Sequence, residues 1–421
     1  MGSLTRIGIK LTYFAVLIAP IFGLYQYFGC FPQININFTM PWYYKGAKDI
    51  LLILVYVFFM GSILSRVKFK ISYLLSLFFI FLFFYILMNL VFLDSYLLTL
   101  VGIRSLLTLL FAFFSYSFFS EREIKDIAKC VVFTALLMLP LSIIQFLFGL
   151  HIHGTMFGKF AARVAATFVQ PSSLGIFLVL AVYFVKHYSF KYEKLLLSIF
   201  AVNILLTGSG IAILGFVFII VISMANRKIT SSSKTLLLPF LVLLLPVSIL
   251  FTAIYLPEMT DRPDIFISGQ GRIEVVKNYF SDNLTTKDIF LGKGFGYGTN
   301  SLYTIFPDIG EQYGFIPDSM FISMIAQIGV LGLLFFLFIN AYAYVKSKNP
   351  IKYIIPLCLF CGLTVNILEL YPVNWIYPIL LGFLLKKDSP ITIAVQSVNA
   401  ENQAGNRESD FRKQTVAGLI E

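Results

Sequence analysis

Asp318 and Ser319 stand at the opening of a long apolar run, and after nine intervening residues the chain reads Gly329-Val330-Leu331-Gly332. The pair follows the only large polar segment of an otherwise apolar chain, which predicts a carboxylate at a water–lipid boundary. A polytopic membrane protein rarely keeps a charge there without a use for it. Three arginines offer complementary charge. Arg272 follows Gly269-Gln270-Gly271 at the start of an amphipathic helix with Ile273, Val276 and Phe280 on one face. Arg163 precedes Thr167-Phe168-Val169-Gln170-Pro171 in a loop that dips toward a new span. A planar guanidinium there would grip a diphosphate or snorkel to lipid headgroups. Arg104 lies some eight residues into an apolar run, about 12 Å below its outer end at 1.5 Å per residue. A guanidinium at that depth needs a partner, with Asp94, Glu369 or a ligand phosphate as the options.

Two small-residue stretches join this set. Leu291-Gly292-Lys293-Gly294-Phe295-Gly296-Tyr297-Gly298 places glycine at alternate positions. That pattern allows close backbone approach and offers free amides to an anion, with Phe295 and Tyr297 able to stack on sugar faces. A mobile hairpin would use the same residues. The run is no dinucleotide fingerprint, which needs a different spacing between a strand and a helix. Thr207-Gly208-Ser209-Gly210 joins two apolar runs with almost no loop. The second helix then aims its N-terminal amides and positive dipole end outward, toward a phosphate. A tight helical hairpin would favour these small residues equally.

The elements that must position these groups are membrane helices. Of 421 residues, 58% are hydrophobic, 13% are charged and 46 are Phe, which excludes both a soluble domain and a disordered chain. Apolar runs near the ~20 residues needed to cross a bilayer recur from end to end. We read twelve spans, at 8–27, 49–65, 71–93, 96–118, 130–150, 173–189, 195–207, 210–226, 235–255, 317–344, 353–371 and 373–386. The seventh and twelfth are short, so ten or eleven spans is the alternative. The expected fold is an all-α polytopic membrane protein. Arg6 and Lys10 precede the first span without a small-residue cleavage site, so it reads as a retained helix.

Basic residues fix the expected orientation. Arg6, Lys10, Arg66, Lys68, Lys70, Arg122, Lys125, Lys129, Lys186, Lys191, Lys194, Arg227, Lys228, Lys234, Lys346, Lys348, Lys352, Lys386 and Lys387 fall on one side. The short loops on the other side hold only Lys45, Lys48, Lys159 and Arg163. The positive-inside rule puts both termini in the cytoplasm and segments 28–48, 151–172 and 256–316 outside. Topology therefore explains the net charge of +11, and no nucleic-acid partner is implied. One membrane domain, 1–387, is expected to carry the outer loop 256–316, ahead of a polar, disordered cytoplasmic tail at 388–421. Cys30 and Cys130 are isolated, Cys358 and Cys361 read as packing, and His151 with His153 alone make a weak metal site. No repeat of solenoid period and no inverted pair of broken helices is present.

Ten or more spans, a large late outer loop, and a following span that opens His-Asn or His-Ser, nine residues and then Gly-x-x-Gly characterise the O-antigen ligase and polymerase superfamily, which this chain resembles. The resemblance covers nearly the whole chain and is closest to the O-antigen polymerases (Wzy). It is carried by Asp318-Ser319 with Gly329 and Gly332, the Gly292–Gly298 run, Arg272, and Arg163 before Thr167–Pro171. Ligases of the superfamily have histidine where this chain has Asp318, which favours polymerase. The arginine common in ligases after the seventh span is replaced by Thr207-Gly208-Ser209-Gly210. The resemblance implies a GT-C-like fold in the bacterial inner membrane with its active site toward the periplasm. It implies transfer of a growing glycan from undecaprenyl diphosphate to a second lipid-linked repeat unit, without a cofactor or metal. Asp318 would orient or deprotonate the acceptor hydroxyl, while Arg272 and Arg163 would stabilise the leaving diphosphate. Arg104, Ser209, Lys293, Gly294, Gly296, Tyr297, Ser319 and Glu369 would bind substrate. A separate chain-length regulator is an expected partner. Ligase-like transfer and a flippase for lipid-linked oligosaccharide are the alternatives.

Overall fold

A computed structural model describes residues 2–30, 42–65, 72–92, 96–148, 164–168, 170–228, 285–299 and 319–387. Most of these residues are helical, the rest are turns, and there is no strand among them. That outcome follows from the solvent, because a bilayer core offers no partner for a backbone amide and a helix satisfies its own. In chain order the helices are α1 (Ser3–Cys30), α2 (Trp42–Leu64), α3 (Tyr73–Phe92), α4 (Tyr96–Leu107) and α5 (Leu110–Phe118). There follow α6 (Glu121–Phe148), α7 (Pro171–Tyr188), α8 (Glu193–Thr207), α9 (Gly210–Lys228), α10 (Thr286–Leu291) and α11 (Met320–Lys346). A 3₁₀ turn (Pro350–Tyr353), α12 (Ile354–Gly362) and α13 (Val373–Lys387) complete the order. Stretches within α1, α2, α3, α6, α7 and α11 are long and apolar enough to cross a membrane, and three shorter apolar helices accompany them among the described residues. The protein is an all-α polytopic membrane protein.

Side-chain pattern decides which helices are central. α7 is largely apolar around its circumference and buried from Ser173 to Val185, as expected of a helix with no solvent face. Pro171 at its first position and extended Gln170 before it fix where it starts. α13 packs flat on α5. A Cβ at Gly382 would stand 1.9 Å from the Ala112 carbonyl oxygen, and Trp375 meets Phe111 with ring centres 4.9 Å apart. α1 runs between α2 and α6, bridged by a Thr5–Ser62 hydroxyl pair and by Thr134 Oγ1 donating to the Val16 carbonyl at 3.2 Å.

Two expected spans differ in form. The fourth is two helices, α4 and α5, separated by Thr108 and Leu109, where the amides of Leu109, Phe111 and Ala112 bond three residues back. The eleventh is helical only to Gly362, and 363–372 continues as turns. The ninth span, the 272–280 helix, His151, His153 and the tail 388–421 lie outside the described residues.

Candidate functional site

The glycine-rich run is built into the helices around it. α11 kinks at Gly329, whose φ of 68° and ψ of 178° belong to the left-handed side that glycine tolerates. The Ala326 carbonyl before the kink accepts the Lys293 amide at 2.7 Å. The Phe295 amide donates to Asn89 Oδ1 on α3 at 3.2 Å, and the Gly296 amide to Gln327 Oε1 at 3.4 Å. Tyr85 on α3 donates its hydroxyl to the Leu291 carbonyl. Backbone meets backbone on two sides. A Cβ at Gly329 would fall 2.2 Å from the Phe290 carbonyl oxygen, and one at Gly102 on α4 would fall 1.9 Å from the Gly296 nitrogen.

This corrects two expectations. The Lys293, Phe295 and Gly296 amides already donate to protein acceptors, so they do not present themselves to an anion. Gly294 and Gly296 are buried. Phe295, 1% exposed, sets its ring edge-on to Tyr85 at 5.4 Å and has no face left for a sugar. Lys293 and Tyr297 stay half-buried at the rim, with the ammonium 5.1 Å from the ring centre. Partial burial lowers the Lys293 pKa, with Asp288 opposing it.

From this run a polar chain leads to the head of α11. Gln327, buried, also donates through Nε2 to Ser323 Oγ at 3.2 Å, which accepts Asn366 Nδ2 at 3.1 Å. One turn earlier Ser319 is buried and does not cap its helix; its hydroxyl donates to the Gly362 carbonyl at 3.4 Å. Glu369 is half-buried on the turns after α12, its amide bonded to the Asn366 carbonyl at 3.1 Å. On the same stretch and into α13, Thr364 Oγ1, Asn366 Oδ1 and Asn374 Oδ1 are buried and find no hydrogen-bond partner among the described residues. Buried acceptors of this kind are costly in a membrane protein.

Among the described residues Arg104 pairs with Asp49 and not with Glu369. Its Nε stands 2.6 Å from Asp49 Oδ1 on α2, with both side chains over a third exposed. Asp94 lies outside the described residues. Lys48, expected in a loop, sits in α2 beside this pair, its ammonium 5.5 Å and 5.2 Å from the ring centres of Phe22 and Tyr371.

A second corner gathers the other small-residue stretch. The Val164 amide bonds the Leu206 carbonyl at 3.1 Å, and Gln145 on α6 accepts the Ala165 and Ala166 amides at 3.1 and 2.8 Å. Ser209 is 2% exposed, packed where a Cβ at Gly175 would come within 3.3 Å of it. Its amide donates to Thr207 Oγ1 at 3.2 Å, the arrangement of a tight helical hairpin. Gly210, by contrast, has open space around it. Arg163, Arg272 and Asp318 lie outside the described residues, so only their neighbours Val164 and Ser319 are located. Among the described residues no three His, Cys, Asp or Glu side chains gather as a metal ion would require.

Residues 195–337 match the family described as O-Antigen ligase. This stretch carries the domain of the O-antigen ligase and polymerase superfamily. No curated protein matches the chain. The ligase/polymerase domain thus runs from within α8 to within α11 and includes the glycine run, Gln327 and the Gly329 kink. Asn89 and Asn366 come from outside the matched stretch and bond to Phe295 and Ser323 within it, while Asp49 and Arg104, also from outside, pair with each other. Sequence reasoning missed Asp49, Asn89, Gln327 and Asn366. Asp49 carried a usable signal, a carboxylate near the head of an apolar run. The three amides carried none, since an isolated Asn or Gln in a span looks alike whether it packs or binds.

Proposed function

We propose that the protein is a polysaccharide polymerase of this superfamily, joining undecaprenyl-diphosphate-linked repeat units on the periplasmic face of the bacterial inner membrane. The acceptor sugar hydroxyl attacks the anomeric carbon of the donor. A new C–O bond forms there as the bond to the lipid diphosphate breaks, and the hydroxyl proton passes to Asp318. Arg272 and Arg163 meet the charge developing on the departing diphosphate. Lys293 and Tyr297 at the rim, with Arg104, Ser319 and Glu369 nearby in sequence or fold, contact the substrates. The matched stretch carries this reading, because it contains Arg272, the glycine run and Asp318-Ser319 in one domain. The charge pattern supports the orientation. Arg6, Lys10, Arg122, Lys125, Lys186, Lys191, Lys194 and Lys346 sit at or beside helix ends that alternating spans would set opposite to those near Lys48 and Lys293.

Ligase-like transfer is the second reading, favoured by the description of the matched family. Cell-surface glycans separate the possibilities. A strain lacking the polymerase caps its acceptor with a single repeat, one lacking a ligase adds none and accumulates lipid-linked polymer, and one lacking a flippase exports no repeat. Asp318→Asn, Arg272→Ala and Arg163→Ala, expressed separately in a polymerase-deficient strain, should each shorten or abolish the glycan ladder. A full ladder from all three at normal protein level would refute the site.

A further inference from the structure

Thr364 Oγ1 and Asn366 Oδ1 on the turns after α12, and Asn374 Oδ1 on the first turn of α13, are buried without a hydrogen-bond partner among the described residues. Asn366 and Asn374 are each 9% exposed. These turns lie deep. α13 has 15 residues, about 22 Å of helix, and carries Lys386 near its far end, a charge that belongs at a membrane face. Its head therefore stands about 20 Å into a ~30 Å hydrocarbon core. Tyr371 agrees, because its hydroxyl donates to the carbonyl of Ala15, about 18 Å along α1 from Ser3. Non-helical backbone at that depth occurs only where protein buries it or where it lines a water-filled cavity.

The turns face α11. Asn366 Nδ2 donates to Ser323 Oγ at 3.1 Å, and Gly362 at the end of α12 accepts the Ser319 hydroxyl at 3.4 Å. Tyr377, three residues after Asn374 and so on the same face of α13, bonds its hydroxyl to Asn340 of α11. Asn366 thus stands one helical turn from Ser319, which follows Asp318 directly in sequence.

The chemistry of the unpartnered groups selects their occupant. Neutral amide and hydroxyl oxygens neither attract a phosphate nor balance a metal's charge, and a hydrocarbon would leave them unpaired. A neutral ligand that brings many O–H donors satisfies them, and a sugar is such a ligand. We propose that Thr364, Asn366 and Asn374 line a glycan subsite, in which their side-chain oxygens accept hydroxyl hydrogens from the sugars of the repeat unit. The inference rests on the proposed use of a lipid-linked glycan and adds the residues that read its sugars. A buried polar group left unpaired by the wrong sugar is a strong source of rejection, so the α12–α13 turns select which repeat unit is accepted.

The test uses the full-length protein in phospholipid nanodiscs with two probes. One is the undecaprenyl-diphosphate-linked repeat unit extracted from a strain lacking this protein, and the other is bare undecaprenyl diphosphate. Native mass spectrometry reads the affinity for each. The wild-type protein should prefer the glycan-bearing lipid by about tenfold or more. Thr364→Val removes one unpartnered oxygen at nearly constant shape, so the melting temperature should hold or rise while that preference falls about threefold. Asn366→Leu should lower it about fivefold or more, with affinity for the bare lipid within about twofold of wild type. A preference unchanged in both variants would leave only water in the site, and equal losses for both lipids would leave only a structural role. Either result overturns the proposal, as does a wild-type protein without the preference. No glycan transfer is measured, and a ligase would bind the same probe, so failure of the polymerase reading leaves this result standing. Loss of the subsite, in turn, leaves the ladder test of Asp318, Arg272 and Arg163 untouched.

Discussion

Gly102→Ala tests whether the glycine run is a wedge locked into the helices or a free ligand loop. The added Cβ would lie 1.9 Å from the Gly296 nitrogen and 2.3 Å from the Phe295 carbonyl carbon. Both obstacles are backbone, so no rotamer change relieves them. The run must retreat about 1.5 Å to bring the 1.9 Å approach out to an ordinary 3.4 Å. That movement stretches the Phe295–Asn89 bond of 3.2 Å and the Gly296–Gln327 bond of 3.4 Å beyond useful length. Overpacking of this kind costs about 1–3 kcal/mol, with the upper end apt for a backbone obstacle. Better helix propensity returns up to about 1 kcal/mol. The balance is about 2 kcal/mol, roughly a 30-fold shift toward the undocked run at 1.4 kcal/mol per tenfold. Limited proteolysis at Lys287 and Lys293 in detergent reads that shift directly, and the glycan ladder reads its consequence. Gly46→Ala is the control, since nothing stands within 4 Å of its added Cβ. If Gly102→Ala matches Gly46→Ala in protection, melting temperature and ladder, the run does not dock as described.

Gly329→Ala should be more damaging than Gly102→Ala, because a positive φ is added to a 2.2 Å approach. A variant that keeps its melting temperature would refute the kink. Asp49→Arg combined with Arg104→Asp should recover the protein level lost in either single variant if the pair is structural, with a coupling of about 0.2–1 kcal/mol typical of exposed pairs. If the double variant folds but makes no ladder, Arg104 acts on substrate. Lys293 should lose its charge at lower pH than an ordinary lysine, so activity in membrane vesicles falls early on the alkaline side and Lys293→Arg moves that limb upward. The stability sign is opposite. The unfolded chain keeps the proton up to the ordinary value of 10.5, so the stability contribution of this group rises with pH in the window just below it.

The helices were legible because a bilayer demands long apolar runs, and α3, α7 and α11 comply almost residue for residue, while α6 begins at Glu121, nine residues ahead of the expected span. The break at Thr108–Leu109 was not, since neither residue is a helix breaker and the interruption depends on how α5 packs against α13. The glycine run was recognised and misread. Alternate glycines announce that something approaches closely, and a single chain does not say whether that is a ligand or a helix. Here the decisive residue was Gly102, which stands far away in sequence and looks like any other helical glycine.

Arg104 shows how an error of a few residues in a helix boundary changes a chemical assignment. Taking the second span to begin at residue 49 made Asp49 an edge residue in water and left Arg104 to seek Asp94 or Glu369. In the structure α2 begins at Trp42, so Asp49 lies seven residues in from that end. Arg104 lies eight residues in from the start of α4 at Tyr96. At 1.5 Å per residue both sit about 11 Å along their helices. Equal depth is what an ion pair inside a membrane protein requires. Depth counted from the true helix start would have brought Asp49 forward as a partner.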